Sequence, residues 1–208
     1  MRVVVGSDGS KNLKQAELER HLEAMSRFIA AHSEYPAPAC TLVLRSAASA
    51  PAQALILMKD VLCDAGIRAQ AILAKLEPQD DLQQLFAALS DLSPDANATT
   101  LIRWARNPRL REAHEQVTYG AEMCWSGDAM RRDADTRNPL VLFETDAPEA
   151  ALRARHAFKA LWTASVPVPG HHLVAGEGRK PSAAYDQPQD TPVTAMRPHV
   201  QGWPLVRH

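Results

Sequence analysis

The chain has 208 residues, enough for one domain with a short appendage. Its apolar fraction of 46% supports a sizeable core, and a formal net charge of −1 leaves no global field to draw in nucleic acid or an acidic membrane. No apolar run approaches the roughly 18 residues that a spanning helix needs, and the opening Met1–Val5 is too short for a secretory core; a cytoplasmic protein with no membrane partner is expected.

Val3 to Val5 form a short β-branched run, ended by a turn at Gly6-Ser7-Asp8-Gly9. The spacing of Leu18, Leu22, Met25 and Ile29, with Phe28 beside them, predicts a helix over 11–32 that Ser10 can cap. His21 and His32 fall outside that stripe and are expected in solvent. Residues 33–39, with Pro36 and Pro38, read as a connection.

A β-α-β unit follows. Cys40–Leu44 has strand length and composition, and Pro51 opens a helix with Leu55, Met58 and Leu62 on one face, stopping at Gly66. Ile67–Leu73 then alternates, with Ile67, Ala69, Ala71 and Leu73 on one side. Strand, helix, strand implies a parallel pair joined by a right-handed crossover. A second helix starts at Asp80-Asp81, whose charge suits its N-terminal dipole, and buries Leu82, Leu85, Phe86 and Leu89. Ser93-Pro94-Asp95 ends it, and Thr99–Trp104 is a third strand candidate.

Arg103, Arg106, Arg109 and Arg111 then crowd one connection. Residues 113–119 and 122–126 read as two strands turning at Gly120, and 139–144 as another. A last helix begins at a capping box of Asp146 and Glu149 and buries Ala151, Ala154, Phe158 and Leu161, leaving His156 exposed. Trp104 and Trp125, flanked by apolar residues, fill the core. Cys40, Cys63 and Cys124 are scattered with no C-x-x-C, so they read as reduced thiols packed like small hydrophobes, holding neither metal nor disulfide. No cofactor is expected. After Gly170 the chain turns rich in Pro and His without apolar periodicity, a flexible tail; adjacent His171 and His172 have no further ligand at metal spacing.

The stretch from His114 to Trp162 has an order of its own. His114-Glu115-Gln116 leads to a turn at Gly120, an apolar run into Ser126-Gly127-Asp128, a second apolar run and a capped helix. Coming after β-α-β-α-β, this order resembles the second part of a phospholipase D-like domain, in which His-x-Lys is followed by Gly-Ser-x-x-Asn, a strand and a helix. The resemblance covers about residues 40–165. The expected fold is α/β, with a mixed, mostly parallel sheet flanked by helices over 1–168 and the tail over 169–208.

What the resemblance implies is phosphoryl chemistry shared between two copies of the motif. One histidine attacks phosphorus, its counterpart protonates the leaving group, and lysines neutralise the phosphate oxygens. A chain with a single copy then implies a homodimer. His114 matches the histidine, and Gln116 stands in the lysine's place, able to donate a hydrogen bond but without charge. The acid expected five positions later falls on Ala121, with Glu122 adjacent. Gly127 matches the glycine, Asp128 replaces the serine and Arg131 stands where the asparagine belongs. A carboxylate at Asp128 repels a phosphodiester by roughly 4 kcal/mol at 4 Å and intermediate dielectric, a loss that Arg131 and Arg132 can offset.

Three functions follow from these residues. In the leading one, the domain keeps the fold without the chemistry and serves as a scaffold or binding module for an unknown protein partner, with Asp128 paired to Arg131 or Arg132. The alternative is a divergent phosphodiesterase or phosphotransferase with His114 as nucleophile, oriented by Glu115, Glu122 or Asp128, and with Gln116, Gly127, Arg131 and Arg132 on the phosphate. The third is nucleic-acid binding along Arg103, Arg106, Arg109, Arg111, Arg131 and Arg132. Glu112, Glu115, Glu122 and Asp128 are interleaved with those arginines, which favours a salt-bridged surface over nucleic acid.

Overall fold

The computed structural model describes residues 8–31, 39–132 and 141–174. All of them belong to one compact unit that runs to Gly176. Among them no helix is long and apolar enough to cross a membrane.

Helix α1 spans Asp8–Ala31. It therefore takes in Asp8 and Gly9, which the sequence reading gives to a turn, and starts ahead of Ser10. Met25 and Phe28 are fully buried, and Leu18, Leu22 and Ile29 pack against them. His21, expected in solvent, is fully buried. The inward ridge of α1 runs through 21, 24, 25 and 28, a helical i, i+3, i+4, i+7 set. An imidazole holds one place on that ridge, so a stripe drawn through apolar residues alone passes beside it.

Strands β1 (Ala39–Leu44) and β2 (Arg68–Leu73) pair in parallel, with Cys40 opposite Ala69 and Leu44 opposite Leu73. The helix between them is two helices, α2 (Ala50–Leu57) and α3 (Lys59–Asp64), broken at Met58. Gly66, at φ +66°, makes the turn into β2. Helix α4 (Gln79–Asp91) buries Leu82, Leu85 and Leu89, with Asp80 and Asp81 in its first turn.

The third strand is shorter than expected. Residues 98–101 form one helical turn, α5, because Thr99 and Thr100 hydroxyls donate to the side-chain and main-chain oxygens of Asn97. Strand β3 is left with Ile102–Trp104 and pairs in parallel with β2. A 3-10 turn at Pro108–Glu112 leads to β4 (His114–Tyr119) and β5 (Met123–Ala129), a hairpin turning at Gly120, φ +67°. Strand β6 is Leu142–Glu144, and residues 139 and 140 of the expected 139–144 lie outside the described residues. Helix α6 (Pro148–Ala164) is not opened by a capping box: Ala147 is its N-cap, without a side-chain bond, and Asp146 sits at φ 54°. Strand β7 (Val166–Pro167) and helix α7 (Gly170–Leu173) follow.

Among the described residues the sheet has seven strands in the order β6-β5-β4-β1-β2-β3-β7. It is mixed but not mostly parallel. Only β1–β2 and β2–β3 are parallel, while β1–β4, β4–β5, β5–β6 and β3–β7 are antiparallel. The short β4–β5 link cannot carry a parallel crossover, which takes a dozen or more residues, so the half of the sheet beyond β1 meanders. Helices α1, α2 and α4 cover one face, with Leu42, Leu44, Leu73, Val117 and Trp125 beneath them. Helix α6 covers the other face, where Phe158 meets Val43, Ile72 and Met130.

Part of the expected tail belongs to the domain: α7 lies on α4, with Leu173 buried and Gln83 Nε2 donating to the Val174 carbonyl at 3.0 Å. Cys40 and Cys124 are buried and free, whereas Cys63 is free but exposed rather than packed. Trp125 is buried, Trp104 is half-buried and His156 is exposed. The expectations for Val3–Val5, for His32 and the connection before Ala39, and for the chain after Val174 lie outside the described residues.

Candidate functional site

Strand β4 alternates. Glu115, Val117 and Tyr119 face α1, and His114, Gln116 and Thr118 face the side of α6, where Thr118 and Thr41 hydroxyls share a hydrogen bond of 2.6 Å. His114 is exposed at the strand's first position. Its Nδ1–H donates to the carbonyl of Gly127 at 2.8 Å. This main-chain oxygen orients the ring in place of the carboxylates expected for that role, and it leaves Nε2 as the ring's free nitrogen.

The other expected site residues divide into those near His114 and one that is not. Opposite His114 stands Ala129, and β5 slips by one residue between the partners of His114 and Gln116, so Gly127 and Asp128 together face Glu115. Asp128 is buried and receives Arg132 Nη1 at 2.9 Å, one of the two pairings expected for it. Arg131 Nε instead reaches Glu112 at 2.8 Å, both side chains more than half exposed. Gln116 is half-buried, paired across to Ser126 and Val43. Glu122 stands apart, just before Met123 at the far end of the hairpin, about 20 Å from His114 at ~3.3 Å per residue. It takes no part in this cluster.

The arginine stripe is also divided. Arg103 Nη1 donates to the Trp162 and Ser165 carbonyls at 2.9 and 3.0 Å, and its guanidinium lies 5.2 Å from the Trp162 ring centre. Arg103 thereby holds the C-terminus of α6. Arg106 stacks on Trp104.

Two groupings on the α1 face escape a reading of motifs. His21 Nδ1 shares a hydrogen bond with the Tyr119 hydroxyl, and its ring stands edge-on to Trp125 with centroids 4.8 Å apart. Burial pushes the His21 pKa down to about 3 and holds Tyr119 well above its ordinary value. Glu115 is the second grouping. Its Oε1 accepts from the Arg45 backbone N–H at 2.8 Å and the Ser49 hydroxyl at 3.0 Å, and its Oε2 from Arg45 Nη2 at 3.0 Å. Each had a faint signal: His21 shares the ridge of Met25 and Phe28, and Glu115 shares the apolar register of Val117 and Tyr119.

A cavity of about 660 Å³ opens elsewhere, at the starts of β1 and β2, lined by Cys40, Cys63, Arg68, Gln70, Asp91 and Leu101 among others. None of the expected site residues line it. Among the described residues, no group of three or more His, Cys, Asp or Glu side chains gathers as a metal site would require. No protein-family model matches the chain, and no curated protein is significantly similar to it.

Proposed function

We propose that the chain is a single, eroded phospholipase D-like unit that binds a protein partner, or a second copy of itself, and does not cleave phosphodiesters. The observation that carries this is the state of the charges around His114. Asp128 holds Arg132, and Glu112 holds Arg131. The lysine position is the uncharged Gln116. A transferred phosphoryl group needs its equatorial charge neutralised, since catalysis of this kind is almost entirely positioning and electrostatics. Here Arg131 and Arg132, the arginines placed to replace the lysine's charge, are already paired, and a buried carboxylate stands beside them. Support for the family reading comes from element order: three strands separated by helices precede the His114 strand, then come the Gly127 strand, a further strand and a helix.

One observation favours the enzymatic alternative. The Gly127 carbonyl fixes the His114 tautomer so that an exposed Nε2 carries the lone pair, which a nucleophile requires. The deciding experiment is hydrolysis of a chromogenic phosphodiester without added metal, wild type beside His114→Ala. We expect no turnover in either protein. Turnover in the wild type that His114→Ala abolishes overturns the binding role and makes His114 the nucleophile.

A further inference from the structure

The carboxyl ends of β1 and β4's start meet where the sheet changes direction. Strands β1, β2 and β3 succeed one another on one side, and β4, β5 and β6 run away on the other. Beside that junction stand Arg45, directly after β1, and Ser49, the N-cap of α2. Their donors converge, and what fills the convergence is a side chain of the protein itself, the carboxylate of Glu115.

Three details distinguish this arrangement from an ordinary ion pair. Ser49, placed to cap α2, makes no cap bond and gives its hydroxyl to Glu115. Arg45 Nε is buried without a partner, since only Nη2 of its guanidinium reaches Glu115. The guanidinium fork thus meets its anion with one prong only, where paired N–H groups suit an anion that offers an oxygen to each. Third, the one-residue slip in β5 falls opposite Glu115, so the ladder does not pin this part of β4 in regular register. Glu17, on α1, has its pKa raised by burial and by the neighbouring Glu115.

We propose that this cluster of donors is an oxyanion site plugged by the chain's own Glu115, and that it takes a free tetrahedral oxyanion of phosphate size once that carboxylate is withdrawn. A tetrahedral anion seated against the guanidinium edge offers one oxygen to Nη2 and another to Nε, the contact that Arg45 Nε lacks. The site lies on the α1 face of β4, opposite His114, and stands or falls independently of any chemistry there.

The test is thermal unfolding of Glu115→Ala in rising inorganic phosphate against sodium chloride of equal ionic strength. The variant's Tm should rise saturably with millimolar phosphate, while the wild type, with its plug in place, shows only the shallow response common to salts. Adding Ser49→Ala should weaken the apparent phosphate affinity by about tenfold, the loss of one charge-assisted hydrogen bond. Adding Arg45→Ala should abolish saturation. An equal phosphate response in the wild type, Glu115→Ala and the Arg45→Ala double variant overturns the proposal. Should Glu115→Ala not fold in chloride, recovery of its near-UV circular dichroism on refolding in phosphate supports the site, and failure in both salts overturns it.

Discussion

A Cβ on Gly127 would stand 2.6 Å from Cη2 and 2.8 Å from Cζ2 of Trp125, and 3.3 Å from the Cβ of Glu115. Trp125 is itself buried and wedged edge-on against His21, so its ring has little room to yield. Gly127→Ala should therefore destabilise the fold by about 1–3 kcal/mol, the usual range for overpacking, read as a lower urea midpoint with an unchanged slope. His114→Ala removes one hydrogen bond from an exposed residue and should cost about 1 kcal/mol or less. The glycine that matches a phosphate motif thus has a packing reason to be there. At this scale the sequence was legible where a residue type decides its own surroundings, as with the turn glycines Gly66 and Gly120. It was opaque at His21 and Glu115, polar side chains at inward positions, because the hydrogen-bond partners that make their burial tolerable lie 98 and 70 residues away.

Among the elements, long segments with a clear period emerged as expected, and short ones did not. Helix α4 buries the leucines its spacing assigns, and β1 and β2 pair in parallel as a β-α-β unit should. Residues 99–101 have the composition of a strand, yet local bonds to Asn97 wind them into a turn. The Gly120 hairpin signals the antiparallel β4–β5 pair, whereas the antiparallel β1–β4 pairing joins strands about 70 residues apart and has no local signal. Arg103 shows what binds distant elements. From β3 it reaches two carbonyls at the end of α6, where the helix dipole is negative, and stacks on Trp162. Arg103→Ala should cost about 1.5–3 kcal/mol, the range for hydrogen bonds to a charged group. Arg109, exposed on the neighbouring 3-10 turn, should cost under about 0.5 kcal/mol when changed to Ala. Equal effects on stability from the two substitutions would mean that Arg103 does not anchor α6.

For the molecule as a whole, the buried ionisable groups set opposite limits of pH. His21 has a folded pKa of about 3, below its ordinary 6.5, because burial penalises the imidazolium. The unfolded chain therefore binds a proton that the folded chain refuses, and the stability present above pH 6.5 is lost progressively as pH falls toward 3. Cys40 does the reverse. Burial pushes its thiol up to about 12 from 9.0, so stability present below pH 9 is lost as pH rises toward 12. Glu17, raised by burial, works against His21 in mild acid, since it prefers the protonated folded form. The His21 shift is the larger, with several kcal/mol as its upper bound at 1.36 kcal/mol per unit, so it governs the acid limb near α1. Replacing His21 by Gln keeps a group able to meet the Tyr119 hydroxyl but removes the titration. Thermal unfolding of both proteins from pH 7 to 4 should show the wild type losing stability more steeply, with the two curves converging toward acid. Parallel curves would mean that His21 is solvated when the rest of the fold is intact. The ring would then have left the α1 ridge, and the packing of α1 against Tyr119, Trp125 and Phe143 would need a different account.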